Sequence, residues 1–169
     1  MKLLVLAFFT LVVSGCSVQW HGPTATTLYP DRDLQICSAV RPELNRGIRD
    51  AADMWNRSLA NWRHVVQVSS NCDIEILETN EPTRTSWAWT SELGGGTILL
   101  NIAHLPAFSR HTASVVGHEV GHALGAQHLP GTLMQLHWDG LWECPDAATV
   151  AQVAAYHRIN LELLAWCWK

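Results

Sequence analysis

Apolar and polar positions divide the 169-residue chain into an apolar leader, a polar stretch without pattern, and a series of short periodic segments. The leader, MKLLVLAFFTLVVSGC, carries one charge at Lys2 and then an apolar run from Leu3 to Val13, interrupted only by Thr10. That run is too short for a stable bilayer span and has the length of a secretory signal, which predicts a signal peptide over residues 1–15. Residues 16–33 are polar, include Pro23 and Pro30, and show no periodicity, so they read as a tether.

The periodic segments begin with LQICSAV (34–40), a first strand. RPELNRGIRDAADMWNRSL (41–59) places Leu44, Ile48, Ala51, Ala52, Trp55 and Leu59 at helical spacing, with Pro42 suited to a first turn. HVVQVS (64–69) and DIEILE (73–78) are strand-like, and the second puts Ile74 and Ile76 on one face. SWAWT (86–90) alternates, and GGGTILLNIA (94–103) runs from a flexible triple glycine into another strand. A helix is predicted from about Thr112 to Leu124, then a loop rich in Gly and Trp (131–145). A last helix is predicted over 145–166, with Val150, Val153, Ala154, His157, Leu161 and Leu164 near one stripe. Helix, several strands, helix, helix is the order of an α+β domain, expected over residues 34–169.

Composition supports one core: 48% of residues are hydrophobic, enough for a single domain of this length. The formal net charge is −4 and no run of Lys or Arg forms a basic stripe, which excludes nucleic acid as a partner. At the end of the leader, VSGC (13–16) resembles the lipobox of bacterial lipoproteins. That resemblance implies a lipid on Cys16, a mature chain starting there, and an exported protein held at a membrane on its periplasmic or cell-surface side. The alternative is an ordinary signal peptide with an incidental cysteine. In an oxidising compartment the other four cysteines, Cys37, Cys72, Cys144 and Cys167, are expected to pair. Four cysteines allow three pairings. Cys37–Cys72 and Cys144–Cys167 are favoured because each closes a local loop.

The densest chemistry is HEVGHALGAQH, residues 118–128. Multiplying this chain's own residue frequencies gives such a pattern of His, Glu, His, Gly and His a chance of about one in ten thousand. His118 and His122, four apart on a helix, project from one face. Gly125 can end the helix in a left-handed conformation, so the reversed chain can bring His128 back as a third ligand. Three neutral imidazoles suit one zinc ion with an open coordination position, where a bound water becomes a usable nucleophile. Glu119, about a third of a turn away, can reach that water as a general base without being a ligand.

H-E-x-x-H-x-x-G-x-x-H is the zinc signature of the metzincin clan, and HEVGHALGAQH matches every fixed position. The order of elements is most similar to a matrixin-type, matrix-metalloproteinase-like catalytic domain. The resemblance covers roughly residues 34–166, and its specific part is 118–134. It implies a small zinc peptidase domain with a twisted, mostly parallel mixed sheet, an active-site helix, a methionine turn and a C-terminal helix. It also implies that Met134, in GTLMQ, supports the zinc site from beneath. Departures are visible too. There is no counterpart of a cysteine-switch propeptide, residues 79–96 contain no Asp or His of the kind that hold structural metals in many matrixins, and Gln135 stands where several metzincins have tyrosine.

Other candidates remain open. GGGTILLN is either the edge strand on which an extended peptide pairs or a buried strand after a flexible loop. Leu136, His137 and Trp138 lie where metzincins build the wall of a specificity pocket, while Trp138 and Trp142 are equally suited to the core. Trp87 and Trp89 suit a carbohydrate platform or, more commonly for such pairs, sheet packing. His157 lies on the apolar side of the last helix. The expected function is hydrolysis of peptide bonds in a peptide or protein substrate by a monomeric zinc metalloendopeptidase. The alternatives are a binding lipoprotein that keeps the zinc fold, against which an intact Glu119 argues, and a hydrolase of non-protein amides such as peptidoglycan cross-links.

Overall fold

The structure, a computed structural model, describes residues 32–105, 109–136 and 142–167. The signal peptide, Cys16 and all of the tether but its last two residues lie outside the described residues, as do His137 and Trp138. Within them five strands and three helices follow in the order β1 (Leu34–Ala39), α1 (Pro42–Leu59), β2 (Val65–Gln67), β3 (Ile74–Thr79), β4 (Ala88–Glu92), β5 (Gly95–Asn101), α2 (Ser109–Ala123) and α3 (Ala147–His157). The expected α+β class is the observed one. No described helix is long and apolar enough to cross a membrane.

The strands form one sheet in the order β2-β1-β3-β5-β4. All neighbours are parallel except β4, which runs antiparallel to β5. Sheet order corrects one of the two readings of GGGTILLN: β5 lies between β3 and β4, so it is an interior strand and β4 is the edge. The cause is apolar content, since Ile98 and Leu100 on β5 are fully buried beside Ile74 and Ile76 on β3.

The six apolar positions of α1 read from the sequence are all buried, and Pro42 occupies its first turn. Helix α2 begins at Ser109, a turn before the expected Thr112. Arg110 and His111 carry no apolar signal there, so periodicity could not mark that start. Helix α3 is the larger correction, because it stops at His157 rather than running to 166. Arg158 takes a left-handed conformation (φ 56°), its N–H donates to Ala155 O at 3.3 Å and the Ile159 N–H donates to Ala154 O at 3.0 Å. That is a Schellman termination, normally made with glycine, and the half-buried Ile159 seals it against the core. Beyond it a 3-10 turn spans Leu161–Leu163 with Leu161 and Leu163 exposed, while Leu164 returns to the core.

Between β3 and β4 the chain turns around Asn101, which is fully buried at the end of β5. The two protons of its side-chain amide are shared among the carbonyls of Glu81, Arg84 and Ser86 at 2.9–3.0 Å, and its Oδ1 accepts from Glu81 N at 3.1 Å. One side chain thus satisfies the inward-facing polar backbone of a loop that has no strand partner. Cys37 is joined to Cys72 and Cys144 to Cys167, with Cα–Cα distances of 5.5 and 6.0 Å. The first bond pins β1 to the loop before β3, and the second ties the C-terminal segment to the entry of α3.

Candidate metal centre and its surroundings

Helix α2 carries the site because small residues let its neighbours press close. A Cβ on Gly117 would meet Met54 Sδ of α1 at 2.8 Å, and one on Gly121 would fall inside Met134 Sδ and lie 3.2 Å from Trp55 Cζ2. The indole of Trp55 donates to Gly117 O at 2.8 Å, one residue before His118. Helices α1 and α2 are therefore fastened at the root of the histidine pair, with Met134 completely buried against the second glycine.

At the end of α2, Gly125 has φ 91°, its N–H donates to His122 O and the Ala126 N–H donates to Gly121 O, both at 2.9 Å. This is again a Schellman termination, here with the expected glycine. Glycine is required twice over, since a Cβ would also occupy the ring of Tyr156 from α3. The turn reverses the chain and returns His128 to the two helical histidines. His122 Nε2 lies 3.0 Å from His118 Nε2 and 3.1 Å from His128 Nε2.

Tautomers follow from the other ring nitrogens. His118 Nδ1 donates to Leu133 O at 2.7 Å and His122 Nδ1 donates to Ala126 O at 2.8 Å. A carbonyl can only accept, so in the neutral rings the protons sit on Nδ1 and the Nε2 lone pairs face one another. Lone pairs this close repel unless a cation lies between them. Tetrahedral zinc bonded at 2.0–2.1 Å would hold such nitrogens about 3.3 Å apart, a few tenths of an ångström from what is observed. The residues fit the ion, and the three ligand nitrogens all lie within 4.8 Å of one another. Burial pushes the His118 imidazole down to about 4, helped by the neighbouring His128, and drives His122 well below its usual range. Both are thus neutral and ready to ligate at neutral pH. His118, His122 and His128 make a site for one zinc ion, the single such group among the described residues.

Glu119, fully buried, points from α2 toward β4. Its Oε2 accepts from the Thr90 hydroxyl at 2.6 Å. The 129–135 turn meets α2 through Leu133 O on the His118 ring and Met134 against Gly121. The Thr132 hydroxyl donates to Leu129 O at 2.7 Å and accepts from Met134 N at 3.0 Å, while Leu129 N donates to Met134 O at 2.9 Å. Asp146, which caps α3 through Ala148 N and Thr149 N, also accepts from Leu133 N at 2.9 Å. The chain of contacts thus runs from the start of α3 through Leu133 to the His118 ring.

Gly121, Asp146 and Thr90 join the site without belonging to the fixed positions of its sequence signature. The first two had signals: a second glycine four residues after Gly117 on the same helical flank, and an Asp before an apolar helix. Thr90 had none. His157 is buried and donates from Nε2 to Leu124 O at 3.1 Å, so it braces the end of α2 and is no ligand. Trp89 is buried under the Arg84 guanidinium, which lies 3.7 Å from its ring, and Trp87 packs edge-on to His111, so neither forms an open platform. Trp142 is a core residue, while Leu136 is exposed.

No curated protein matches the chain in sequence. Among solved structures it is similar to two of myroilysin, each with a TM-score of 0.52. The first is 18% identical over 70% of this chain and 53% of that chain; the second is 17% identical over 69% and 54%. The chain spans about half the length of these structures, and the likeness is one of fold. A hatching enzyme zinc-protease from Oryzias latipes (medaka fish), high choriolytic enzyme 1, aligns with a TM-score of 0.38 and 23% identity over 56% of this chain and 44% of that one. The sequence profile of the Streptomyces extracellular neutral proteinase (M7) family matches residues 33–159, a span that holds the whole sheet, the histidine triad and α3. This chain belongs to that family.

Proposed function

We propose that the protein is an exported zinc metalloendopeptidase that hydrolyses peptide bonds in protein substrates. The observation that carries this reading is the fully buried Glu119 carboxylate one residue from a histidine trio whose Nε2 atoms converge. A protein that merely bound a partner would have no use for a carboxylate buried there at the cost of its desolvation. Zinc, when bound, supplies Lewis acidity: it lowers the pKa of a water to about 7 and polarises the carbonyl under attack. The chain does the rest. Glu119 accepts a proton from the attacking water and passes it to the leaving amine nitrogen. The Leu133 and Ala126 carbonyls hold two imidazoles in the ligating tautomer. Gly125 returns His128 to the trio, and Met134 fills the space beneath the rings as an apolar support.

The finer reading is a monomeric, pared-down domain: the HEVGHALGAQH signature and Met134 support the metzincin clan, and the order of elements supports the matrixin type within it. The lipid on Cys16 rests on VSGC alone, and the 16–33 tether would lift the domain from the membrane. The test uses a soluble form starting at Ser17, loaded with zinc, and a complex peptide library read by mass spectrometry beside Glu119→Ala of equal zinc content. New termini made only by the parent protein support the peptidase; identical spectra would overturn it. Anchoring is tested in a bacterial host, where Cys16→Ser should move the protein from the membrane fraction to the soluble one.

A further inference from the structure

We propose that Thr90 is a positioning residue for the general base: its hydroxyl holds the Glu119 carboxylate in its working orientation. The inference rests on the peptidase reading for its consequence, but its geometry stands independently. Thr90 is fully buried on the edge strand β4, with Oγ1 2.6 Å from Glu119 Oε2 and 3.1 Å from Glu119 O. A hydroxyl has one proton, and the nearer, charged acceptor takes it. A glutamate has three side-chain torsions, so an unheld carboxylate would sample orientations that miss the water. A short bond to one oxygen removes that freedom in advance.

Ordinary strand alternation turns Thr90 inward with Ala88, two residues earlier and equally buried, while Thr90 is still in register opposite Ile98. Pairing with β5 shifts register between Thr90 and Glu92, a β-bulge, and the Thr97 N–H opposite is satisfied by the Ser91 hydroxyl at 2.8 Å. The register breaks only after Thr90, so the pairing that turns its hydroxyl toward the carboxylate is regular. The strand is in turn fixed to the zinc helix, since Gly94 N of the β4–β5 turn donates to His122 O at 3.0 Å. Thr90 and Glu119 are thus held in register from both sides. Threonine suits the position because it is uncharged and β-branched, as a buried strand residue should be, while its hydroxyl supplies a donor to the carboxylate.

The test compares Thr90→Val, which keeps shape and removes the donor, with Thr90→Ser, which keeps the donor. Each is assayed for zinc content, kcat and KM on a peptide that the parent cleaves. The expected result is a kcat loss of about tenfold or more in Thr90→Val, with zinc stoichiometry and KM unchanged, and recovery to within about threefold in Thr90→Ser. A second readout needs no activity. In the zinc-free protein, the melting-temperature shift caused by Thr90→Val should vanish when Glu119 is already alanine, because the two side chains act as a pair. An unchanged kcat in Thr90→Val, or equal losses in both variants, would overturn the proposal, as would a melting shift that persists without Glu119. If the parent cleaves no peptide, the melting comparison alone decides the contact, and the failure belongs to the peptidase reading.

Discussion

At the scale of single residues, the metal ligands were legible because helical geometry alone brings His118 and His122 together and a glycine alone can bring back His128. What holds them was less legible. Gly121 matters through what it lacks: Met134 and Trp55 occupy the space a Cβ would need. Gly121→Ala gains helix propensity of about 1 kcal/mol but forces a buried thioether and a rigid indole aside, and overpacking of that kind costs about 1–3 kcal/mol. The expected net effect is a loss of stability, seen as a lower urea midpoint with unchanged slope. Asp146 acts at one remove through Leu133 on the His118 ring. Asp146→Ala should weaken zinc binding about tenfold, measured by competition with a chelating dye, while Asp146→Asn, which still caps α3, recovers part of the loss. Thr90 was invisible in the sequence because its partner lies 29 residues away and meets it only through sheet-on-helix packing.

Elements were legible where a stripe of apolar residues recorded burial, as on α1, and illegible where burial continued after the helix had ended. Leu164 is buried from an extended segment, and an apolar residue at helical spacing carries no mark of the backbone that delivers it. The actual stop is Arg158, a non-glycine residue in a left-handed conformation. Arg158→Gly should relieve that strain, stabilising the protein by about 1 kcal/mol and raising its melting temperature by about 3 °C. A fall in melting temperature would mean that the arginine side chain contributes more than its backbone costs. The choice between edge and interior for β5 was equally beyond reach, since strand order is a property of the sheet and not of any strand.

The whole molecule responds to acid through its buried imidazoles. Burial, aided by the Arg63 charge, lowers His157 to about 4, and burial does the same to His118. Both lie below the 6.5 of an unfolded imidazole, so between those values the unfolded chain binds more protons than the native one. The zinc-free protein should therefore hold this contribution in full above about pH 6.5 and lose it progressively as pH falls toward 4. Urea titrations across that window measure the slope, and His157→Gln should make it shallower. Throughout, the two disulfides hold together a domain of modest size, each closing a loop whose entropy is worth about 3–4 kcal/mol by chain-entropy reasoning.

The asparagine at the end of β5 carries a consequence for the ionic surroundings in which such an enzyme can persist. A carboxamide gathers the 80–87 loop, and the histidine trio is the one metal-holding group among the described residues. Stripping divalent ions should then silence the protein without dismantling that loop. Treatment with EDTA is expected to abolish cleavage while amide protection of the loop around Asn101 survives in hydrogen exchange, and zinc alone, with no calcium, should bring activity back. Loss of protection there on chelation would mean that an ion, and not Asn101, organises the segment. On that outcome, a dormant form would withstand scarcity of metal and resume work when a single ion returned.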